Sequence, residues 1–136
     1  MGESGTVKIL TIRTDKPEAE LYLFENKNKL NSIKWQAHRQ LAETIHIKIK
    51  EILDLLNISA NEIQGIVCYK GPGSFTGLRI GLSVANALAY AQDIPIVARG
   101  GKDWLKQGIN DLLDGKNDKI VTPQYGAPAK TTSPKK

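Results

Sequence analysis

Sulfur, histidine and long apolar runs are scarce in these 136 residues, and each scarcity closes a class of function. Cys68 is the only cysteine, so no disulfide framework can form within the chain. The two histidines, His38 and His46, stand about two helical turns apart, too far to share a metal, and no H-E-x-x-H pattern accompanies them. No apolar run approaches the ~20 residues that span a bilayer. The opening MGESGTVKIL has neither a basic n-region nor a cleavable apolar segment. These absences set the expectation of a cytoplasmic protein with no membrane attachment, bound metal or cofactor.

Acidic residues are missing from Lys119 onward, and four of the five net positive charges lie there. The rest of the chain is nearly neutral. Residues 1–121 therefore read as a single lobe, and 122–136 as a flexible basic tail. Such a tail is either a solvated end or a non-specific contact for RNA phosphates. A hydrophobic content of 40% with 24% charged residues fits one globular core.

VKILTIRT (7–14), AELYLFEN (19–26) and KLNSIKW (29–35) read as three strands of an antiparallel meander, with Asn26 to Asn28 as a hairpin connection. A helix from about Gln36 to Leu56 follows, with Leu41, Ile45, Ile49, Ile52, Leu53 and Leu56 forming one apolar stripe. IQGIVCYK (63–70) has the continuous apolar pattern of a strand buried on both faces. A second helix is expected over Ser74 to Gln92, a short strand in DIPIVA and a third helix in KDWLKQGINDLLDG. A last strand is expected in KIVTPQY. The order β-β-β-α-β-α-β-α is that of a ribonuclease-H-like lobe, with helices covering a mixed sheet.

The glycine-rich entry to the second helix, KGPGSFTGLRIG, fails both nucleotide patterns. It has no P-loop lysine, and Thr76 stands where G-x-G-x-x-G needs its last glycine. A structural role fits it better. Gly71 and Gly73 permit a tight approach, Pro72 stiffens it, and Ser74 is placed to cap the helix through its hydroxyl. Gly77, Gly81, Ala85 and Ala89 then fall four residues apart and leave one helix face nearly free of side chains. That face fits close contact with another helix, within the chain or on a partner, or packing on the chain's own sheet.

GPGSFTGLRIG followed by ANALAYAQDIP resembles the TsaB (YeaZ) family of tRNA threonylcarbamoyladenosine biosynthesis proteins. The resemblance runs from Val7 to Trp104 and resumes in PQYGAPAKTTSPKK. It implies the actin/Hsp70/sugar-kinase-like fold, built from two ribonuclease-H-like lobes, here shortened to about one lobe plus the tail. It also implies a non-catalytic scaffold that dimerises with its paralogue TsaD, which threonylcarbamoylates N6 of adenosine 37 in tRNA. A TsaE-like ATPase joins the complex, tRNA is engaged through the complex, and a homodimer is expected of the isolated chain. The implied interface lies on the two long helices, at Ile45, Ile49, Ile52, Leu56, Gly77, Leu78, Gly81, Ala85 and Ala89.

Two departures bear on chemistry. Relatives end their first strand in D-T-S, where enzymes of the superfamily hold metal and phosphate; here Arg13, Thr14 and Asp15 stand there. An arginine cannot ligate magnesium. The first helix keeps its apolar stripe from Leu41 to Ile49 and lacks the histidine, serine and proline of the family's H-S-E-x-L-L-P-x-I. Cys68 is read as a buried structural thiol, and Ser74, outside a G-x-S-x-G elbow, as a cap. No catalytic residue is expected. The alternatives are an ATP-dependent or peptidase-like enzyme of the same superfamily, and an RNA-binding adaptor that uses the basic tail.

Overall fold

A computed structural model describes residues 6–124. The elements are β1 (Lys8–Arg13), β2 (Glu18–Glu25), β3 (Asn28–Gln36), α1 (Leu41–Leu55), β4 (Gly65–Tyr69), α2 (Phe75–Gln92), β5 (Ile96–Arg99) and α3 (Trp104–Leu113). They form one five-stranded sheet in the order β3-β2-β1-β4-β5. The meander strands pair antiparallel, while β1 with β4 and β4 with β5 pair parallel, so the sheet is mixed as expected.

Alternation along the strands assigns the two faces. Leu10, Ile12 and Thr14 face α1 and α2, whereas Ile9, Thr11 and Arg13 face the side of α3. α1 covers β2 and β3, and the Trp35 indole N–H donates to Thr44 Oγ1 at 2.9 Å. α2 covers β1 and β4, and α3 lies across β4 and β5 on the opposite face. β4 is buried along its whole length between these layers, which explains its unbroken apolar sequence.

Three local expectations are corrected. The first helix begins at Leu41 rather than Gln36, because β3 runs on to Gln36 and His38 takes a left-handed φ of 48° before a single 3-10 turn. Ser74 stands at the start of α2, yet its hydroxyl makes no cap bond; its backbone N–H donates to the Asp15 carbonyl at 3.2 Å. Residues 119–124 of KIVTPQY form no strand. The outer edge of β5 is already taken: Asn117 Oδ1 accepts from Ile96 N–H at 3.1 Å and Asp118 Oδ2 from Ala98 N–H at 3.0 Å. Side chains thus cap the sheet edge where another strand would pair. The Asn86 amide holds Val121 by two hydrogen bonds of 2.9 Å. The basic tail lies almost wholly outside the described residues.

Cys68 is 1% exposed on β4, and burial pushes its thiol pKa up. We expect thiol reagents to label it only on global unfolding, at the rate and denaturant midpoint of the unfolding transition. Labelling of the native protein within minutes would contradict the burial of β4.

Candidate functional site

The stripe of small residues on α2 meets the chain's own first strand. A Cβ added at Gly77 would overlap the Thr14 carbonyl oxygen, and one at Gly81 would overlap the Thr14 side chain. Thr14 Oγ1 donates to the Gly77 carbonyl at 2.7 Å. Two glycines within a helix cost roughly 2 kcal/mol of helix propensity together; here they let the end of β1 lie directly against the helix backbone. Gly73 makes the same allowance for Asp15, whose side chain occupies the space a Cβ would need. Gly71, with φ of +127°, turns the chain beneath Gly100 and Gln124.

This packing corrects the expected interface. Ile45, Ile49, Ile52, Leu78, Gly81, Ala85 and Ala89 are buried in the lobe's own core; Leu56 and Gly77 are half-buried against it. Of the nine, Ile49, 7% exposed, reaches the edge of an outer groove. The open surface lies one residue earlier along α2, where Ile80, Val84 and Leu88 are half-buried beside the exposed Thr76, Arg79 and Ser83. With Ala42 and His46 of α1 they line an outer groove, one part of which holds about 440 Å³. Beyond His46 the groove continues past Leu53 and Leu88, and Ile47, 63% exposed, stands on the outer side of α1. The signal for this second stripe was present in the sequence as Ile80, Val84 and Leu88 at four-residue steps.

At the end of β1, beside a hollow of about 280 Å³ lined by Thr14, Asp15, Lys16, Ser74 and Gly77, the charged side chains are engaged with one another. The Arg13 guanidinium donates to both Asp15 oxygens, at 2.8 and 3.2 Å, and lies 4.0 Å from the centre of the Tyr69 ring. Tyr69 is held in turn by a 2.6 Å bond from its hydroxyl to the Pro72 carbonyl and by an edge-on contact with Trp104. The hydrogen bond to Asp15 raises the Arg13 pKa despite partial burial, so the guanidinium keeps its charge. Beside it, burial works against the charge of Glu20, but hydrogen bonds from Tyr22 and Lys16 hold its pKa below the usual range. Thr14 is committed to α2. This donor set does not fit a divalent cation: one residue is a cation, and the nearby carboxylate is already bridged by it. Among the described residues no cluster of three His, Cys, Asp or Glu side chains is placed to hold a metal.

A mixed 3-2-1-4-5 sheet with two helices on one face and one on the other defines a ribonuclease-H-like lobe. Thermus thermophilus RuvC shares this fold, with a TM-score of 0.51 at 10% identity, over 90% of this chain and 86% of that one. The family pattern of TsaD, described as tRNA N6-adenosine threonylcarbamoyltransferase, matches residues 33–98. A TsaB protein of Haemophilus influenzae, named for tRNA threonylcarbamoyladenosine biosynthesis, is 31% identical over 83 residues. That match covers 57% of this chain and 35% of the relative. A tRNA N6-adenosine threonylcarbamoyltransferase of Clostridioides difficile is 46% identical over a shorter 61 residues, which are 45% of this chain and 18% of the enzyme. YeaZ from Pseudomonas aeruginosa superposes with a TM-score of 0.64 at 26% identity, over 69% of this chain and 44% of that one.

The chain is similar to the TsaB (YeaZ) proteins in sequence and in the fold of this lobe. The 46% identity to the C. difficile transferase is confined to 61 residues, the H. influenzae TsaB match runs over 83, and the YeaZ structure shares the lobe. The chain spans about a third of the H. influenzae relative and under half of the P. aeruginosa structure.

Proposed function

We propose that the chain is a non-catalytic scaffold subunit in tRNA threonylcarbamoyladenosine biosynthesis, and that it binds a TsaD-like transferase subunit through the outer groove of α1 and α2. The observation that carries the reading is that groove: a continuous, partly apolar surface between the two long helices, left over after the core is complete. The Arg13–Asp15 pair supports the non-catalytic part, because it fills the place where metal and phosphate are held in enzymes of the superfamily. Association is driven by apolar burial, at roughly 25 cal/mol per Å² before ordering costs are met. A TsaE-like ATPase and tRNA join through the assembled complex, and the same groove serves a homodimer when the transferase is absent. Among the described residues no helix is long and apolar enough to cross a membrane.

The test is to mix the purified chain with a TsaD-like subunit and measure mass by light scattering after size exclusion. A one-to-one complex, with no ATP hydrolysis by the chain alone, is the expected result. Two separately eluting proteins would contradict the scaffold role.

A further inference from the structure

A second hollow, of about 430 Å³, lies on the opposite side of the sheet, between α3 and the β2–β3 hairpin. Lys27 enters it from the hairpin, and Lys102 and Lys106 from the start of α3. Register places two more lysines on the same side: Lys34 sits opposite Glu20, and Lys29 lies over the Tyr22 ring at 5.6 Å. All five are exposed, and among the described residues none has an acidic partner. Three other lysines are instead neutralised, Lys48 by Glu51, Lys50 by Asp54 and Lys116 by Asp111, while Lys70 and Lys119 also lack an acidic partner among the described residues. The acids on the α3 side are largely committed, Asp15 to Arg13, Glu20 to Lys16 and Tyr22, and Asp111 to Arg99 and Lys116. Asp103 is the one carboxylate lining the hollow.

We propose that this lysine-rimmed hollow binds the phosphate backbone of RNA directly, which deepens the tRNA-modification reading and rests on it. Uncompensated lysines on two separate elements form an extended cationic surface of the kind phosphates neutralise through counterion release. Lysine offers a mobile point charge without a fixed fork, so the contact positions the RNA and reads no base. The floor argues against an acidic amphipathic peptide as occupant. Phe24 and Ile109 are already buried, and only Leu105 is half-exposed, so an apolar partner face would gain little area there.

The experiment measures binding of an unmodified tRNA transcript to the full chain, alone and with the TsaD-like subunit, between 50 and 200 mM salt on the scale where such contacts respond. The variant is Lys27→Ala with Lys102→Ala and Lys106→Ala; Lys48→Ala with Lys116→Ala, both ion-paired and outside the hollow and the outer groove, is the control. Each lost phosphate contact lowers the salt slope by about one, so the triple variant should lose about three and bind at least about tenfold more weakly. The control should keep both slope and affinity. An unchanged slope in the triple variant, or an equal loss in the control, overturns the proposal. Loss of the TsaD-like subunit with tRNA affinity intact also overturns it, because the hollow is then a protein-docking surface. If the lysine effect holds but no transferase subunit associates, the scaffold reading fails and the RNA contact stands.

Discussion

Replacing Gly81 or Ala85 with leucine is expected to unfold the lobe rather than merely block a partner. Both positions face the sheet: Ala85 is fully buried, and a Cβ at Gly81 already collides with Thr14. Overpacking a closed core costs about 1–3 kcal/mol and occasionally more. At Gly81 the displaced Thr14 hydroxyl also loses its bond to the Gly77 carbonyl, and a buried polar group left unpaired costs about 1–3 kcal/mol. A combined loss of about 2–6 kcal/mol is a large part of the ~5–15 kcal/mol that holds a domain together. Thermal unfolding followed by circular dichroism should show a midpoint lowered by roughly 10–20 °C for Gly81→Leu, or no cooperative transition. A variant that melts like the parent would contradict the docking of α2 on β1.

The second large effect concerns the opposite side of α2. Thr76→Asp with Ser83→Asp places two carboxylates in the outer groove without touching the core, since both side chains are exposed. The isolated chain should therefore keep its melting curve to within a few degrees. Binding to a TsaD-like subunit should weaken by at least about a hundredfold, or ~2.7 kcal/mol, because each carboxylate would have to be desolvated without a partner. Calorimetric titration of parent and variant reads both numbers. Equal affinities would remove the groove from the interface.

Most of the architecture was legible because it rests on local periodicity. The alternation of β1 and β2, the unbroken apolar run of β4 and the stripe on α1 each specify an element and its buried face. The element order then pointed to the lobe. Less legible was anything decided by contacts distant in sequence. KIVTPQY has strand-forming residues, but Asn117 and Asp118 reach the edge of β5 first. Ser74 has the chemistry of a cap, yet Asp15, brought alongside by the sheet, receives its N–H. The small-residue stripe carried no sign of its partner, and only the position of Thr14 shows that β1 fills it. Arg13 was visible as a departure, but its pairing with Asp15 over Tyr69 required two strands and the glycine turn to be assembled.

The most direct measurement is hydrogen exchange of the chain with and without a TsaD-like subunit, resolved by peptide. The account predicts slowed exchange over 42–58 and 75–92, the segments bearing the outer groove, with α3 and the β2–β3 hairpin unchanged until tRNA is added. No change in any segment, or slowing confined to α3 and the hairpin, would contradict the central claim that α1 and α2 carry the interface.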